Sequence, residues 1–230
     1  CHELLNTLTY DRTYIIDLTG KTPEKIAAAM PKDGRRGVKR AERVAKEAGV
    51  VIKDETGMDR ATFDEVYRVL EETSERDGFT PHSADVYWTM LTTLGEQARM
   101  YVARLDGRPV AWVLVTVNGI SSVAYYGAST TADRATRAAE ATDWYAACDL
   151  AAKGYKGYDF MGAGSTRVPE LYSVGMYKKR FAQHPTEVDG AWDVPVQRPV
   201  FEALVAAKKA KHLVRKATVV ASKASEAIKR

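Results

Sequence analysis

The chain has 230 residues, 45% of them hydrophobic and 28% charged, which is the balance of a soluble globular protein long enough to bury its own core. No run of 18 apolar residues predicts a membrane-spanning helix, no export-signal pattern is seen, and two cysteines, Cys1 and Cys148, argue against a disulfide scaffold or a cysteine-rich zinc site. The net charge of +4 is uneven: from Lys208 onward eight Lys/Arg stand against Glu226, a net +7, while the other 207 residues, 26 basic and 29 acidic, carry −3.

The basic excess therefore belongs to a tail, and it is poor evidence that the whole chain binds nucleic acid. The chain begins with Cys rather than Met, which reads as a processed protein or a piece of a longer one.

In chain order, Thr13 to Leu18 is β-branched and aromatic and reads as a strand ended by Thr19-Gly20. Thr22 and Pro23 start a short helix that ends near Met30-Pro31. A basic helix is predicted from about Gly34 to Ala48, closed by Gly49, with a short strand at Val50 to Ile52. Asp59 or Thr62 caps a helix from about Phe63 to Arg76, whose buried face is Phe63, Val66, Tyr67, Leu70 and Thr73. Gly78 stops it, and a second helix runs roughly from Ser83 to Leu94. Three strands follow: Arg99 to Leu105, Val110 to Val117 and Ser121 to Tyr126, joined by the hairpin turns Asp106-Gly107 and Asn118-Gly119. The middle strand is apolar on both faces, so it is expected to be internal. An Ala-rich helix is predicted over about Ala132 to Lys153, then a strand at Tyr158 to Met161. A helix from about Glu170 to Phe181 and a strand near Glu187 to Ala191 precede a last helix after Pro199. Strand, helices, antiparallel meander, helix, strand, helix, strand is an α+β order with a mixed sheet.

Five places could carry chemistry. Lys32, Arg35, Arg36, Lys39, Arg40, Arg43 and Lys46 crowd one helix, and Arg36, Lys39, Arg40 and Arg43 share a face. Such a stripe can track a phosphate backbone, or it is an ordinary solvated face. Tyr126 closes a central strand before Gly127-Ala128-Ser129, where a ligand can approach the backbone; a buried aromatic before a turn would look the same. Asp159 sits in the apolar run Tyr158 to Gly162, where a structural hydrogen bond or ion pair is favoured over catalysis. Tyr177-Lys178-Lys179-Arg180-Phe181 places three cations between two aromatics. A lysine there could bind phosphate or stabilise charge developing in acyl transfer, or it simply complements a helix dipole. His82, in the loop Gly78 to His82, could contact substrate, although a lone loop histidine is more often only exposed. The histidines have no ligand spacing, so no metal site is predicted. Cys148 reads as core. No Walker loop, nucleophile elbow or dinucleotide fingerprint occurs.

Taken in order, Thr13 to Leu18, Arg35 to Glu42 with Gly49-Val50, Ser74 to Phe79, Tyr126 to Ser129, Tyr158 to Gly162 and Tyr177 to Phe181 resemble the Fem-type (FemABX) peptidyltransferases. These cytoplasmic enzymes use aminoacyl-tRNA to build the side-chain bridge of peptidoglycan. The resemblance covers about Thr13 to Pro195. It implies a GNAT-like (acyl-CoA N-acyltransferase-like) domain over 13–196, with a mixed, mostly antiparallel sheet flanked by helices. It also implies a basic C-terminal helix over 197–230 and, in 1–12, a remnant of a missing first GNAT-like domain. By the same resemblance Lys178 is the catalytic lysine, and Tyr126, Tyr87 and Tyr177 are substrate contacts. His82 stands where some relatives have an arginine that binds substrate phosphate. The helical arm of some relatives is missing between Gly49 and Phe63. Contact with tRNA is therefore expected from Arg36, Lys39, Arg40 and Arg43, or from the tail.

The implied reaction is attack of a stem-peptide amine on the ester of an aminoacyl-tRNA. Aminoacyl-tRNA is the co-substrate, and no cofactor is expected. The acceptor is UDP-MurNAc-pentapeptide or a lipid-linked muropeptide, and the C-terminal helix is a candidate contact with an anionic membrane surface at the inner face. Two other readings stand beside this one. An acyl-CoA-dependent N-acetyltransferase would share the fold, but the usual pyrophosphate-binding loop is not seen after Tyr126. A non-catalytic module could bind RNA or membrane through its basic tail.

Overall fold

The computed structural model describes residues 2–3, 10–189, 192–208 and 210. Two compact units result, Cys1–Asp11 with Asp189–Arg230, and Arg12–Val188. In the smaller unit, β1 (His2–Glu3) pairs antiparallel with β9 (Trp192–Asp193), and a helix covers 198–208 with an Arg198–Glu202 ion pair on its surface. The expected tail helix beyond 210 and most of 1–12 lie outside the described residues. Among the described residues, no helix is long and apolar enough to cross a membrane.

The larger unit holds a seven-stranded sheet. Its strands are β2 (Arg12–Asp17), β3 (Val51–Asp54), β4 (Ala98–Leu105), β5 (Arg108–Asn118), β6 (Ser121–Ser129), β7 (Gly157–Gly162) and β8 (Thr186–Glu187), in the spatial order β3-β4-β5-β6-β7-β2-β8. All neighbours are antiparallel except β6 and β7. The fold is therefore α+β with a mixed, mostly antiparallel sheet, as the element order predicts.

Both faces of the sheet are covered, and the alternation along β4 and β5 shows why. Met100, Val102, Trp112 and Leu114 pack with Phe63, Val66, Leu70 and Tyr87 from α3 (Arg60–Asp77) and α4 (Ala84–Leu94). Their neighbours Tyr101, Val113 and Val115 face the opposite way, onto Ile26, Val38, Trp144 and Leu150. Those residues come from α1 (Pro23–Ala29), α2 (Lys32–Glu47) and α5 (Ala138–Ala152). A strand with side chains in two cores is apolar throughout.

Local chemistry sets most of the boundaries. Thr22 caps α1 with Pro23 in its first turn, and Asp59 caps α3 by accepting from the Thr62 amide at 2.8 Å. Gly78 ends α3 with φ +75°, a left-handed backbone that glycine adopts at no steric cost.

Three expected elements differ. The Ala-rich helix does not begin at Ala132: residues Arg134–Thr136 form a 3-10 turn and α5 starts at Ala138. Side chains hold the segment before it, because Asp133 is gripped by Arg108 at 2.7 Å and reached by the Thr130 hydroxyl at 2.7 Å. Arg137 then turns left-handed, φ 57°. The helix expected over Glu170 to Phe181 is a 3-10 turn, Pro169–Leu171, followed by α6 (Tyr172–Lys178). The strand near Glu187 to Ala191 contributes only Thr186–Glu187 to this sheet; residues 190–191 lie outside the described residues.

Candidate active site

The parallel pair is where the sheet opens. Strands β6 and β7 are in register only from Ser121 opposite Gly157 to Val123 opposite Asp159. Beyond that point β6 continues alongside β5 to Ser129, and β7 continues alongside β2 to Gly162. Among the described residues, no strand pairs with the β7-facing edge of β6 past Val123. At the far end of that edge the Ser129 amide donates to Thr73 Oγ1 at 3.0 Å and its carbonyl accepts from Arg76 at 2.7 Å, so any backbone contact with a ligand falls between Val123 and Ser129.

Both walls of this opening are bulged. On β6, Leu114 is opposite Tyr126 and Val115 opposite Ala124, which leaves Tyr125 without a partner on β5. On β7, the register with β2 shifts between Thr13 and Ile15, and Met161 takes φ 60°. Asp159 stabilises that conformation by accepting from the Met161 amide at 2.7 Å. The Thr13 hydroxyl lies within hydrogen-bond reach of Asp159 and of the Met161 carbonyl. Asp159 thus makes the structural contacts expected of an acid in an apolar strand. Bulges commonly redirect side chains beside active sites.

The structure brings three of the sequence-predicted substrate contacts together on the β6 side. The Tyr87 ring, on α4, stands 4.8 Å from the Tyr126 ring in an edge arrangement, and the His82 ring is 6.1 Å from Tyr87. His82 itself is exposed. Its backbone is fixed, since its carbonyl accepts from the Tyr67 hydroxyl at 2.7 Å. Tyr87 is buried, and desolvation raises the pKa of both Tyr87 and Tyr126, so both remain neutral hydrogen-bonding phenols.

Lys178 stands at the other wall. Its Nζ donates to the carbonyl of Gly162, the last residue of β7, at 2.7 Å. Burial pushes its pKa down to about 8, opposed by the carboxylates of Asp159 and Asp143. The α6 helix that carries it sits tightly on the segment after β7. A Cβ at Gly164 would lie 2.6 Å from the Tyr172 backbone, and one at Gly175 would lie 3.0 Å from the Gly164 nitrogen. Only glycines allow this approach.

Tyr177 is placed differently from the expectation. It is not a free substrate contact: its hydroxyl donates to Asp143 Oδ2 at 2.5 Å, beneath the sheet on the α5 side. The Tyr158 hydroxyl reaches Asp143 Oδ1 at 3.3 Å. Burial raises the Asp143 pKa to about 6, against the hydrogen bonds from Tyr177 and Tyr158 that lower it. Sequence reading passed over Asp143 because it lies in an Ala-rich helix. The signal was present in the spacing: Glu140 and Asp143 are acids three apart on a helix otherwise apolar on that side.

The basic stripe on α2 is exposed at Arg36, Lys39, Arg40 and Arg43. Arg43 is held by Glu47 at 2.8–2.9 Å. Arg36, Lys39 and Arg40 have no carboxylate within salt-bridge distance among the described residues. The stripe faces away from the sheet, because Gly34, Val38, Ala41 and Ala45 form the buried side of α2. Cys148 is half-buried against the α5-side core, and burial pushes its thiol up to about 12, so it is an inert side chain.

Comparison with known proteins agrees with this geometry. No curated protein matches the chain. Among solved structures, FemX superposes with a TM-score of 0.71 at 16% identity, covering 84% of this chain and 63% of its own. The C-terminal domain of a protein described as a lysylphosphatidylglycerol synthetase from Agrobacterium fabrum gives 0.62 at 14% identity, covering 90% of this chain and 65% of its own. L-PGS from Bacillus licheniformis gives 0.59 at 14%, covering 87% and 65%. This chain spans slightly under two thirds of each of the three, and the likeness is one of fold, of the FemABX type. Residues 32–179 match the family model "Acetyltransferase (GNAT) domain". That match takes in the basic helix, the split parallel pair and Lys178, and the chain belongs to the GNAT acetyltransferase-domain family.

Proposed function

We propose that the chain is an aminoacyltransferase of the Fem type. It would move an amino acid from aminoacyl-tRNA to the stem-peptide amine of a peptidoglycan precursor. The observation that carries this reading is the FemX-like fold combined with a half-buried lysine on α6 that donates to the last carbonyl of β7, beside the split β6–β7 pair. The aminoacyl ester is already activated. The protein's work is therefore to align the ester with the amine and to stabilise the oxyanion. Lys178 supplies the positive charge for that step. Tyr126 and Tyr87 orient the acceptor, and His82 approaches its phosphates. The Arg36, Lys39 and Arg40 face takes the tRNA backbone, with Arg43 contributing less because Glu47 neutralises it. The acceptor is a UDP-linked or lipid-linked muropeptide, which places the reaction in the cytoplasm or at the inner membrane face, where the C-terminal helix would contact anionic lipid. No cofactor enters the scheme.

The α5 N-terminus favours this reading over acyl-CoA. A pyrophosphate site at a helix start needs free amides and no nearby negative charge. Here the Ala138 amide donates to Thr136 Oγ1 at 3.3 Å, so an amide at the helix start is already taken, while the first-turn Glu140 is balanced by Arg137 and Arg180. The names of the second and third solved structures suggest a lipid acceptor instead of a muropeptide, so the assay includes one.

The test is transfer of labelled amino acids from charged tRNA to UDP-MurNAc-pentapeptide, to lipid-linked muropeptide and to phosphatidylglycerol, with acetyl-CoA as the rival donor. The expectation is tRNA-dependent transfer to a muropeptide, reduced about 100- to 1,000-fold by Lys178→Ala, the scale of losing one oxyanion-stabilising group. Acetyl transfer without tRNA dependence would overturn it, and a Lys178→Ala variant with unchanged transfer would remove that residue's role.

A further inference from the structure

Behind the β7 wall, three elements meet on one carboxylate. Asp143 projects from α5, receives the Tyr177 hydroxyl from α6 at 2.5 Å, and is approached by the Tyr158 hydroxyl from β7 at 3.3 Å. The other charged groups around it are Lys178 on α6 and Glu140, one turn earlier on α5. Glu140 is itself engaged by Arg137 and lies 3.7 Å from the Arg180 guanidinium. Tyr177 and Lys178 are consecutive on a helix of seven residues, so whatever fixes one fixes the other.

We propose that Asp143 is the positioning residue of Lys178. Through the Tyr177 hydroxyl it ties α6 to α5, and so holds Lys178 Nζ against the Gly162 carbonyl. It is also one of two carboxylates, with Asp159, whose charge keeps the amine protonated. Asp159 is committed to the Met161 amide and the Thr13 hydroxyl, so Asp143 is the carboxylate that can respond to the position of α6. The inference rests on the reading of Lys178 as the charged group of the transfer step. It gives that step a support that neither wall of the opening provides.

Two variants separate the two roles. Asp143→Asn keeps an acceptor for the Tyr177 hydroxyl and removes the charge. Tyr177→Phe keeps the charge and removes the tether. The readout is the titration of Lys178 in the 230-residue chain, by competitive labelling with trace acetic anhydride and peptide mass spectrometry, with exposed Lys39 as internal standard. In the unaltered protein the midpoint is expected at about 8, where burial pushes the Lys178 amine. Asp143→Asn is expected to move it to lower pH, because an attractive charge is lost. Tyr177→Phe is expected to move it to higher pH and to raise the plateau labelling rate, because the amine is released to solvent. A purely structural carboxylate would change melting temperature and leave both midpoints in place. If both folded variants titrate as the unaltered protein does, the proposal is wrong. If Asp143→Asn does not fold, an unmoved midpoint in Tyr177→Phe is enough to overturn it. The labelling needs neither tRNA nor acceptor. A protein that labels as expected but transfers nothing would count against the proposed function and leave the positioning role standing.

Discussion

Gly34→Ala tests the packing that seats the Lys178 helix. Gly34 is on the buried side of α2, and a Cβ there would lie 1.7 Å from the Arg180 carbonyl oxygen and 2.7 Å from its carbon. Real Cβ contacts under 3.0 Å essentially never occur, so α2 and the segment after α6 must part by more than 1 Å. The obstacle is backbone, and no rotamer change relieves it. Alanine in a helix gains about 1 kcal/mol over glycine, whereas overpacking a tight contact costs about 1–3 kcal/mol and sometimes more. A close approach to a carbonyl oxygen lies at the upper end, so the net loss is about 2 kcal/mol. For a chain of this size that is a fall in melting temperature of roughly 4–8 °C. Gly37→Ala is the control. Its Cβ would meet the Glu140 carboxylate at 2.7 Å, the far end of a side chain that can turn, so the fall should be smaller. Circular-dichroism melts of both variants decide the matter. A Gly34→Ala protein as stable as the unaltered one would mean that α2 and the segment after α6 do not make this contact.

Three other outcomes follow from the site. Asp143 has its folded pKa raised from the ordinary carboxylate value to about 6, so the folded state binds its proton more tightly than the unfolded state. Its ionisation therefore costs stability as pH rises through that interval. The melting temperature of the unaltered protein relative to Asp143→Asn should climb as pH is lowered from 7 to 4; parallel profiles would contradict the burial of that carboxylate. Replacing Arg36, Lys39 and Arg40 together by Gln should weaken tRNA binding and reduce the salt-dependence slope by about 2–3, measured by filter binding across a salt series, and an unchanged slope would locate the tRNA elsewhere. Gly164→Ala would force a Cβ to within 2.6 Å of the Tyr172 backbone. It should displace α6 and raise Lys178 labelling, and normal labelling would show that α6 tolerates the shift.

Much of the fold was legible because its signals are local. Asp59, Thr22 and Gly78 act within one turn of their own positions, and the two hairpin turns at Gly107 and Gly119 have the positive φ that their sequences predict. The errors came where distant side chains overrode a local preference. Ala-rich sequence from Ala132 would be helical alone, but Arg108 and Thr130 hold Asp133. The close contacts at Gly34 and Gly164 were equally hidden, since nothing adjacent in sequence states what a glycine will touch. The site divides the same way. Motif order singled out Tyr126, Tyr87 and Lys178 as candidates, and the structure shows what surrounds them; Asp143 left only the spacing signal of two acids on an apolar helix face, and its partners Tyr177 and Tyr158 appear only where α5, α6 and β7 meet.

On the proposed mechanism, these groups predict a pH dependence for the transfer step. A lysine that stabilises an oxyanion must be charged, and burial pushes the Lys178 pKa down to about 8. The attacking amine must be neutral, which favours higher pH. Transfer should therefore rise with pH and then fall, giving a bell; since a lysine-type amine titrates at about 10.4, above Lys178, the lower inflection carries the Lys178 value and the upper one that of the amine. Because the Asp143 carboxylate favours the lysine's charged form, Asp143→Asn should bring that lower inflection to lower pH while leaving the upper one, set by the amine, in place. Lys178→Ala should abolish the fall along with most of the rate. Initial rates across a pH series spanning both inflections at saturating tRNA distinguish the cases. A fall that persists in Lys178→Ala would assign it to another group, and a lower inflection that does not move in Asp143→Asn would uncouple the Asp143 carboxylate from the chemistry.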